Sequence, residues 1–344
     1  MPILLLFIFL CCASGVHAQD VVPAAMAPGG VSESSPAVTA PADLPVDLPV
    51  DLDNSGRVDF YCLRRAYPQI TGMVADTQGQ WLVFADGRRV LYAAAPGQQT
   101  ASGQESEWVV SVRVSMAEPY PLEPERPETP LGVSPGRRRS YDLLQTLYGA
   151  SPKAVGSHLV QARLAGQHLH LSPAAAQAIN RADAILAPHV AHETRLKTLL
   201  KMDGGFAWRR IAGENRLSPH AFGIAFDISP GIATYWRWSK LRPHPLQKSY
   251  PASIVAAFEN EGFIWGGKWH EYDLMHFEYR PEIICKARVL QGQEHVPGVD
   301  AAAQSPTQSV TPAAANSAVI SAGKPAGKPA VQPQAQNAGV VAAP

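Results

Sequence analysis

Residues 223–228 place a carboxylate, Asp227, inside an otherwise apolar run that predicts a buried β-strand. A charged carboxylate in an apolar strand is costly unless it is paired with a cation or bound to a metal. The fold must therefore bring partners to Asp227 from other parts of the chain. This requirement constrains the possible folds more strongly than any other feature of the sequence.

His220 is one candidate partner, seven residues before Asp227. An odd separation puts two side chains on opposite faces of a regular strand, so the two can meet only if His220 lies in a turn ahead of the strand. Pro219 and Gly223 are residues that permit such a turn. We therefore expect His220 to precede the strand rather than to lie in it.

A second segment further along the chain, Asp273-Leu274-Met275-His276, offers another histidine and another carboxylate. We expect His276 to enter a strand and Asp273 to lie just before it. His220, Asp227 and His276 together form the ligand set of a catalytic Zn²⁺ site with one coordination position left for water. Asp273 would then lie beside the metal without being a ligand.

These residue types suggest separate chemical roles. Zinc lowers the pKa of a bound water to about 7, and Asp273 would accept the proton of that water as it attacks a peptide carbonyl. The developing oxyanion needs a cationic or hydrogen-bonding partner. Arg209 and Arg210, in the irregular segment before the site, are the candidates, and the sequence leaves open which of them acts.

The two ends of the chain differ in composition from the middle. Residues 3–12 are apolar and are followed by small residues up to Ala18, which is typical of a secretory signal peptide over residues 1–18. Residues 19–55 are rich in Pro, Ala and Val and predict a flexible linker. Residues 296–344 hold no aromatic residue and predict a disordered tail. A signal peptide implies a secreted protein of the periplasm or cell envelope.

The globular part is then predicted to cover residues 56–295, with a hairpin and helices in residues 56–200 and the zinc-containing catalytic core in residues 201–295. Lys plus Arg and Asp plus Glu are equal at 29 each, so the net charge gives no support to a nucleic-acid partner. No stretch after the signal is long and apolar enough to be an integral membrane span. The run Arg137-Arg138-Arg139 is interpreted as a solvated loop.

Two of the four cysteines, Cys62 and Cys285, would remain after removal of the signal peptide. In an oxidising compartment a disulfide that closes so long a loop would stabilise the fold by roughly 4 kcal/mol in the chain-entropy model. The alternative is a pair of buried thiols. The sequence does not decide between them, because it does not give the distance between the two Cα atoms.

Residue patterns in the middle of the chain predict both strands and short helices. Residues 81–85 and 88–92 flank Asp86-Gly87, which indicates a β-hairpin. Strands are also expected over residues 223–228 and 274–279. Helices are expected to begin at three points: at Ser140, at Ser172 with a break or kink at Pro188, and at Pro251.

Short helices mixed with non-consecutive strands predict an α+β fold, in which a small antiparallel sheet with flanking helices carries the zinc site. Five aromatic residues lie near the site in sequence, and such residues are more often core than binding surface, although some could form a wall for a substrate. They are Tyr235, Trp236, Trp238, Trp265 and Trp269.

The residues of the candidate site also resemble a known family. Residues 218–227, Ser-Pro-His-Ala-Phe-Gly-Ile-Ala-Phe-Asp, resemble the Ser-x-His-x-x-Gly-x-Ala-x-Asp signature of the D-alanyl-D-alanine metallopeptidases. Residues 265–278, from Trp-Gly-Gly-Lys-Trp to Asp-Leu-Met-His-Phe-Glu, resemble the second signature of that family. The family includes D-Ala-D-Ala carboxypeptidases and dipeptidases and L-alanyl-D-glutamate endopeptidases. The clear similarity covers about residues 204–282.

The resemblance implies a zinc peptidase that cuts the peptides of peptidoglycan. By position, His220, Asp227 and His276 match the family's ligands to a single Zn²⁺, and Asp273 matches its general base. The family's oxyanion arginine usually lies in a Ser-Gly-Tyr-Arg phrase, and Gly-Gly-Phe-Ala-Trp-Arg, ending at Arg209, stands in that place here.

Three functional hypotheses follow from these observations: a secreted zinc peptidase, a non-catalytic zinc-containing module that binds the cell wall, and a structural envelope protein. A protein that had lost catalysis could discard Asp273, so its presence favours the peptidase over the binding module. Asp227 in its apolar strand argues against the structural protein. The sequence leaves open which peptide bond is cleaved, as well as the oligomeric state.

Overall fold

The computed structural model describes residues 52–97, 110–122, 129–229, 231 and 233–299. The predicted signal peptide, nearly all of the predicted linker and most of the predicted tail lie outside the described residues. The folded part begins with a helix at Asn54, and Val296 and Val299 are buried at its other end. Structure is therefore present a few residues beyond both predicted limits, 56 and 295.

The helices among these residues are α1 (Asn54–Ala66), α2 (Val112–Ser115), α3 (Tyr141–Tyr148), α4 (Pro152–Gly156), α5 (Pro173–His192), α6 (Thr194–Leu199), α7 (Leu246–Ser249), α8 (Ala252–Asn260) and α9 (Pro281–Leu290). The strands are β1 (Ile70–Asp76), β2 (Gly79–Phe84), β3 (Arg89–Ala94), β4 (Val160–Leu164), β5 (Gln167–Leu171), β6 (Met202–Gly204), β7 (Ala225–Ile228), β8 (Phe263–Trp265) and β9 (His276–Tyr279). Within the described part of the chain, no helix is long and apolar enough to cross a membrane.

The strands form small antiparallel sheets, which confirms the predicted α+β class. β1, β2 and β3 form a three-stranded sheet in sequence order, and β4 and β5 form a two-stranded one. The four-stranded sheet has the order β6-β7-β9-β8, with every pair antiparallel. Because β7 and β9 are neighbours in this sheet, the two sequence segments that carry the candidate site lie side by side.

The predicted hairpin is present as β2 and β3, and Gly87 in its turn has φ +83°. A positive φ of this size is readily adopted by glycine, which has no Cβ. The sequence patterns did not predict β1. Most residues of β1 are partly or fully exposed, so the strand lacks the alternation of apolar and polar residues on which the prediction of a half-buried strand depends.

The predicted helix boundaries agree with the structure except at Pro188. Ser140 caps α3 by accepting a hydrogen bond from the amide of Leu143, and α5 begins at Pro173 as expected. α5 then continues through Pro188 and ends at His192, so of the two predicted alternatives, a break or a kink at Pro188, the break is wrong. Proline removes the hydrogen bond to the carbonyl four residues earlier. That carbonyl belongs to Ala184, which is exposed to solvent, so water can replace the missing donor.

The alternation of side chains along β7 and β9 separates a core face from a site face. Phe226 and Phe277 are paired across the two strands and stack with ring centroids 5.4 Å apart. The next pair in the register is Asp227 and His276. Neighbouring residues of a strand point to opposite faces of the sheet, so Asp227 and His276 lie on the face away from the phenylalanines.

The main core draws on both predicted parts of the globular region. Its cluster of buried residues extends from Ala162 to Phe277 and includes Ile179 of α5, Phe226 of β7 and Phe258 of α8. The four-stranded sheet is thus supported from behind by helices on both sides of residue 200. This packing fixes the strands that carry the site.

A disulfide joins Cys62 of α1 to Cys285 of α9, with the two Cα atoms 5.5 Å apart. Of the two alternatives that the sequence left open, the structure thus has the bridge. Both cysteines are buried where α1 packs against α9. The bridge therefore ties the first helix of the folded part to the last one.

Replacement of both cysteines by serine, Cys62→Ser with Cys285→Ser, is expected to lower the free energy of unfolding by roughly 4 kcal/mol, because the loop it opens is long. Urea denaturation of the oxidised wild type and of the double variant measures this difference. As a control, a reductant should destabilise the wild type and leave the variant unchanged. Equal urea midpoints for the oxidised wild type and the variant would show that the bridge adds nothing.

Candidate metal centre

His220 lies in a short 3₁₀ helix, Pro219–Phe222, directly before β7. Gly223 ends this turn with φ +65°, and a Cβ there would lie 2.5 Å from a side-chain carbon of Leu159. Both the left-handed backbone and this close contact favour glycine. The structure thus confirms that His220 precedes the strand, where the turn directs its imidazole toward Asp227.

His220, Asp227 and His276 come together as the sequence predicted, and their potential ligand atoms all lie within 4.8 Å of one another. His220 Nε2 is 3.2 Å from one carboxylate oxygen of Asp227, and His276 Nδ1 is 3.1 Å from the other. Two imidazoles and one carboxylate at these distances form a compact N₂O donor set. Such a set can hold one divalent metal ion.

The hydrogen bonds of His220 indicate which of its nitrogens would bind the ion. Nδ1 lies 2.7 Å from the carbonyl oxygen of Gly205, so Nδ1 carries the proton and donates it. Nε2 is buried and makes no hydrogen bond, because its contact with Asp227 does not have hydrogen-bond geometry. A buried nitrogen lone pair without a donor is what a metal ion would satisfy, so the residues present fit a metal.

Asp273 lies at the same pocket, immediately before β9, as predicted. Its backbone is fixed at both ends, since its amide donates to Gly266 and its carbonyl accepts from His276. The residue is partly exposed as a whole, but Oδ1 is buried and has no hydrogen-bond partner. Burial, together with the like charge of Asp227, raises the pKa of Asp273 to about 6. Asp273 can therefore exchange a proton near neutral pH.

The electrostatics of the ligand cluster favour a charged carboxylate at Asp227. Burial alone disfavours the charged form, but the neighbouring imidazoles of His220 and His276 outweigh burial and hold the pKa of Asp227 well below its usual range. Burial also opposes the charged form of His276, but hydrogen bonds to Asp227 and Glu278 raise the pKa of His276 to about 9. The cluster thus stabilises positive charge beside Asp227, which is the position that a metal ion would take.

The two arginines proposed for the oxyanion differ in position. Arg209 lines the pocket, and its guanidinium lies 3.8 Å from Asp227 with half of the side chain exposed. Arg210 is exposed, donates a hydrogen bond to the carbonyl of Asn215 and is not among the residues that line this pocket. Of the two, Arg209 is therefore the one that the fold brings to the site.

The pocket that contains the ligand cluster and Asp273 has a volume of about 100 Å³. A larger hollow of about 700 Å³ lies elsewhere, lined by residues of β5 and by residues around β6. That hollow contains neither the potential ligands nor Asp273. The smaller pocket is the candidate site, because the titratable groups converge there.

The interpretation of Arg137-Arg138-Arg139 as a solvated loop was wrong for two of the three residues. Arg138 is partly exposed, but Arg137 and Arg139 are buried and line the pocket of the candidate site. Arg137 donates to the hydroxyl of Tyr235 at 3.2 Å and pairs with the carboxylate of Glu271 at 3.0 Å. These acidic and hydroxyl partners keep a buried charge solvated by protein groups.

A sequence signal for the buried arginines was present in the second motif. Glu278 lies inside the apolar strand β9 and is fully buried, so it needs a cationic partner for the same reason as Asp227. Arg139 is that partner, with its guanidinium 2.5 Å from the Glu278 carboxylate. The charge-run rule considers only neighbours in sequence and therefore did not detect this pair, whose members are 139 residues apart.

The five aromatic residues near the site divide between core and pocket. Trp265 is fully buried in the main core and Trp236 packs against that core, whereas Tyr235, Trp238 and Trp269 line the pocket. Trp238 is 69% exposed at this pocket and contacts the ring of Tyr235. It is therefore the aromatic residue placed to contact a bound molecule.

Comparison with known proteins agrees with the two motifs. Residues 212–279 match a family model described as D-alanyl-D-alanine carboxypeptidase. No curated protein and no solved structure gives a significant match to the chain. The matched segment contains His220, Asp227, Asp273 and His276. The family match thus confirms the resemblance predicted from the motifs over the segment that carries the site.

Proposed function

We propose that the protein is a secreted zinc peptidase that hydrolyses peptide bonds in the stem peptides of peptidoglycan. The observation that carries this proposal is the convergence of His220, Asp227 and His276 within 4.8 Å at a pocket that also exposes Asp273. The family match over residues 212–279 supports a peptidase acting on cell-wall peptides. Two imidazoles and one carboxylate are a ligand set typical of catalytic zinc.

Zn²⁺ would be held by His220 Nε2, His276 Nδ1 and the Asp227 carboxylate. When bound, zinc supplies Lewis acidity, which stabilises developing negative charge and lowers the pKa of water to about 7. The remaining chemistry is carried by residues of the chain. Asp227 and the two histidines have their orientations fixed by the turn and by the register of β7 and β9.

Asp273 is proposed as the general base and then the general acid. Its carboxylate accepts a proton from the water whose oxygen forms a bond to the peptide carbonyl carbon. When the carbon–nitrogen bond breaks, Asp273 returns that proton to the leaving amine, so that proton and electron pair both end on the amine. A pKa of about 6 suits both halves of this task near neutral pH.

Arg209 is proposed to stabilise the oxyanion that forms at the carbonyl oxygen. Its guanidinium lies at the pocket, 3.8 Å from the Asp227 carboxylate, and half of the side chain is exposed. Stabilisation of charge that exists only in the transition state raises kcat more than it lowers KM. Because half of its side chain is exposed at the pocket, Arg209 is free to approach the carbonyl oxygen of a bound peptide.

Arg209→Ala is therefore expected to lower kcat by about 10²- to 10³-fold, the usual loss when one donor to an oxyanion is removed. Steady-state hydrolysis of a stem peptide measures the change. Arg210→Ala is the matched control, since Arg210 is the adjacent arginine and does not line the pocket. Equal losses in the two variants would exclude a specific role for Arg209.

The products of hydrolysis identify which peptide bond is cleaved. Purified protein is incubated with peptidoglycan stem peptides, and mass spectrometry separates loss of a terminal D-Ala from cleavage between L-Ala and D-Glu. We expect one of these product sets, its loss with a chelator and its return when Zn²⁺ is added. If the full chain binds zinc but yields no chelator-sensitive cleavage, the alternative of a wall-binding zinc module replaces the peptidase.

Export is part of the same proposal. The signal peptide predicted over residues 1–18 would deliver the protein to the periplasm or cell envelope, where peptidoglycan lies. The Cys62–Cys285 disulfide supports this location, because structural disulfides persist in oxidising compartments and are rare in the cytosol. Fractionation of cells that express the full chain, with processing checked by mass, tests the proposed export.

A further inference from the structure

Glu278 is a fully buried carboxylate on the site face of β9, two residues after His276. Residues two apart in a strand point to the same face, so both side chains lie on the side of the sheet that carries the ligand cluster. Glu278 belongs neither to the ligand set nor to the proposed proton transfer. A buried charge this close to a potential metal ligand requires an explanation.

Two arginines fix the Glu278 carboxylate. Arg139 binds it through two guanidinium nitrogens, with Nε 2.9 Å from Oε1 and a terminal nitrogen 2.5 Å from Oε2. Arg280 adds a contact of 3.4 Å to Oε1. A bidentate guanidinium fixes both the position and the plane of a carboxylate. Glu278 is therefore held as a rigid acceptor.

The same carboxylate faces the nitrogen of His276 that does not point to the ligand cluster. Oε2 of Glu278 lies 3.4 Å from His276 Nε2, whereas His276 Nδ1 lies 3.1 Å from Asp227. A proton on Nε2, donated to Glu278, leaves the Nδ1 lone pair directed at the cluster. His220 shows the mirror arrangement, in which the Gly205 carbonyl accepts from Nδ1 and Nε2 faces the cluster.

We propose that Glu278, locked in place by Arg139, is a positioning residue that makes His276 bind the metal through Nδ1. A carboxylate that accepts from the far nitrogen of a ligating histidine fixes the ring orientation and raises the basicity of the ligating nitrogen. Arg139 lies outside residues 212–279, the segment matched by the family model. The upstream arginine run thus contributes to the metal site. This inference rests on the metal site of the proposed function but not on its peptidase activity.

Glu278→Gln tests the proposal, with Glu282→Gln as the matched control. Glu282 is also buried and also binds Arg280, at 2.6 Å, but its other partner is the hydroxyl of Tyr67 rather than a ligand. Each variant removes one buried negative charge next to the same arginine. The measurement is the zinc dissociation constant of the full chain by competition with a chromophoric chelator, together with thermal unfolding to confirm that each variant folds.

Glu278→Gln is expected to bind zinc about 10-fold more weakly than the wild type, the lower end of the range for losing an outer partner of a metal ligand. Glu282→Gln should bind like the wild type. If both variants have the same zinc affinity, Glu278 is only a structural ion-pair partner and the proposal is overturned. A wild type that does not bind zinc overturns the proposed function as well, so the two failures are distinguishable.

A second measurement does not depend on the stability of any variant. In zinc-loaded wild type, ¹⁵N NMR of the histidine rings should show His276 protonated at Nε2 and metal-bound at Nδ1, and His220 with the opposite assignment. Metal bound to Nε2 of His276 would contradict the role of Glu278. Arg139→Lys, which keeps the charge but loses the bidentate geometry, should weaken zinc binding in the same direction as Glu278→Gln.

Discussion

Asp227→Ala is expected to remove the metal and to lower kcat/KM by at least about 10³-fold, because the Lewis acid contributes several kcal/mol to the stabilisation of the transition state. Asp227 lies between the two histidines, within 3.2 Å of one and 3.1 Å of the other. Without its carboxylate the two imidazoles have no anionic co-ligand. Elemental analysis should give one zinc per wild-type chain and almost none in the variant.

Asp203→Ala is the control for this experiment. Asp203 is an exposed aspartate in β6, the strand that pairs with β7, and it does not line the pocket. It should retain both zinc and activity. An Asp227→Ala variant that keeps stoichiometric zinc, or that loses zinc but cleaves stem peptides at the wild-type rate, would contradict the assigned ligand set.

Asp273→Asn is expected to lower kcat by about 10²- to 10⁴-fold, the range that general acid–base catalysis contributes. Asparagine has nearly the same shape as aspartate but cannot accept the proton of the attacking water. Because Asp273 is not one of the three potential ligands, the variant should keep its zinc. Steady-state kinetics and zinc analysis of the same preparation measure both properties together.

The comparison variant is Asp203→Asn, which makes the same chemical change on the exposed strand β6. It should be fully active. Wild-type turnover in Asp273→Asn would exclude Asp273 as the base, and loss of zinc from that variant would show that Asp273 is a ligand instead. A selective loss of turnover with zinc retained would separate the base from the ligands.

Much of the site could be predicted from the sequence because its residues violate local expectations. Asp227 in an apolar strand required partners, and the odd spacing to His220 required a turn, which the structure provides at Pro219–Phe222. The α+β class followed from short helices and non-consecutive strands. For Asp227 and His220 the information lay within a few residues of the chain, where local chemistry limits the possible structures.

The contribution of the upstream arginines could not be predicted in the same way. Arg137 and Arg139 are buried by partners distant in sequence, among them Tyr235 and Glu278. A run of like charges has no local property that distinguishes a solvated loop from a set of buried ion pairs. Only the packing of the 129–139 segment against the sheet makes that distinction.

The persistence of α5 through Pro188 has a similar origin. The rule that proline breaks a helix considers the lost hydrogen bond, but whether the helix ends depends on what replaces that bond. Here the carbonyl that lacks its helical donor belongs to an exposed residue, Ala184. Exposure is a property of the tertiary fold, so the sequence pattern alone did not exclude the break.

The central claim is that His220, Asp227 and His276 bind one metal ion together. The most direct test is an anomalous difference map at the zinc absorption edge, from crystals of the full chain grown with Zn²⁺. We predict one strong peak within bonding distance of His220 Nε2, His276 Nδ1 and an Asp227 oxygen, with Asp273 close by but not bound. A map with no peak at these residues, or with the peak at other ligands, would contradict the account.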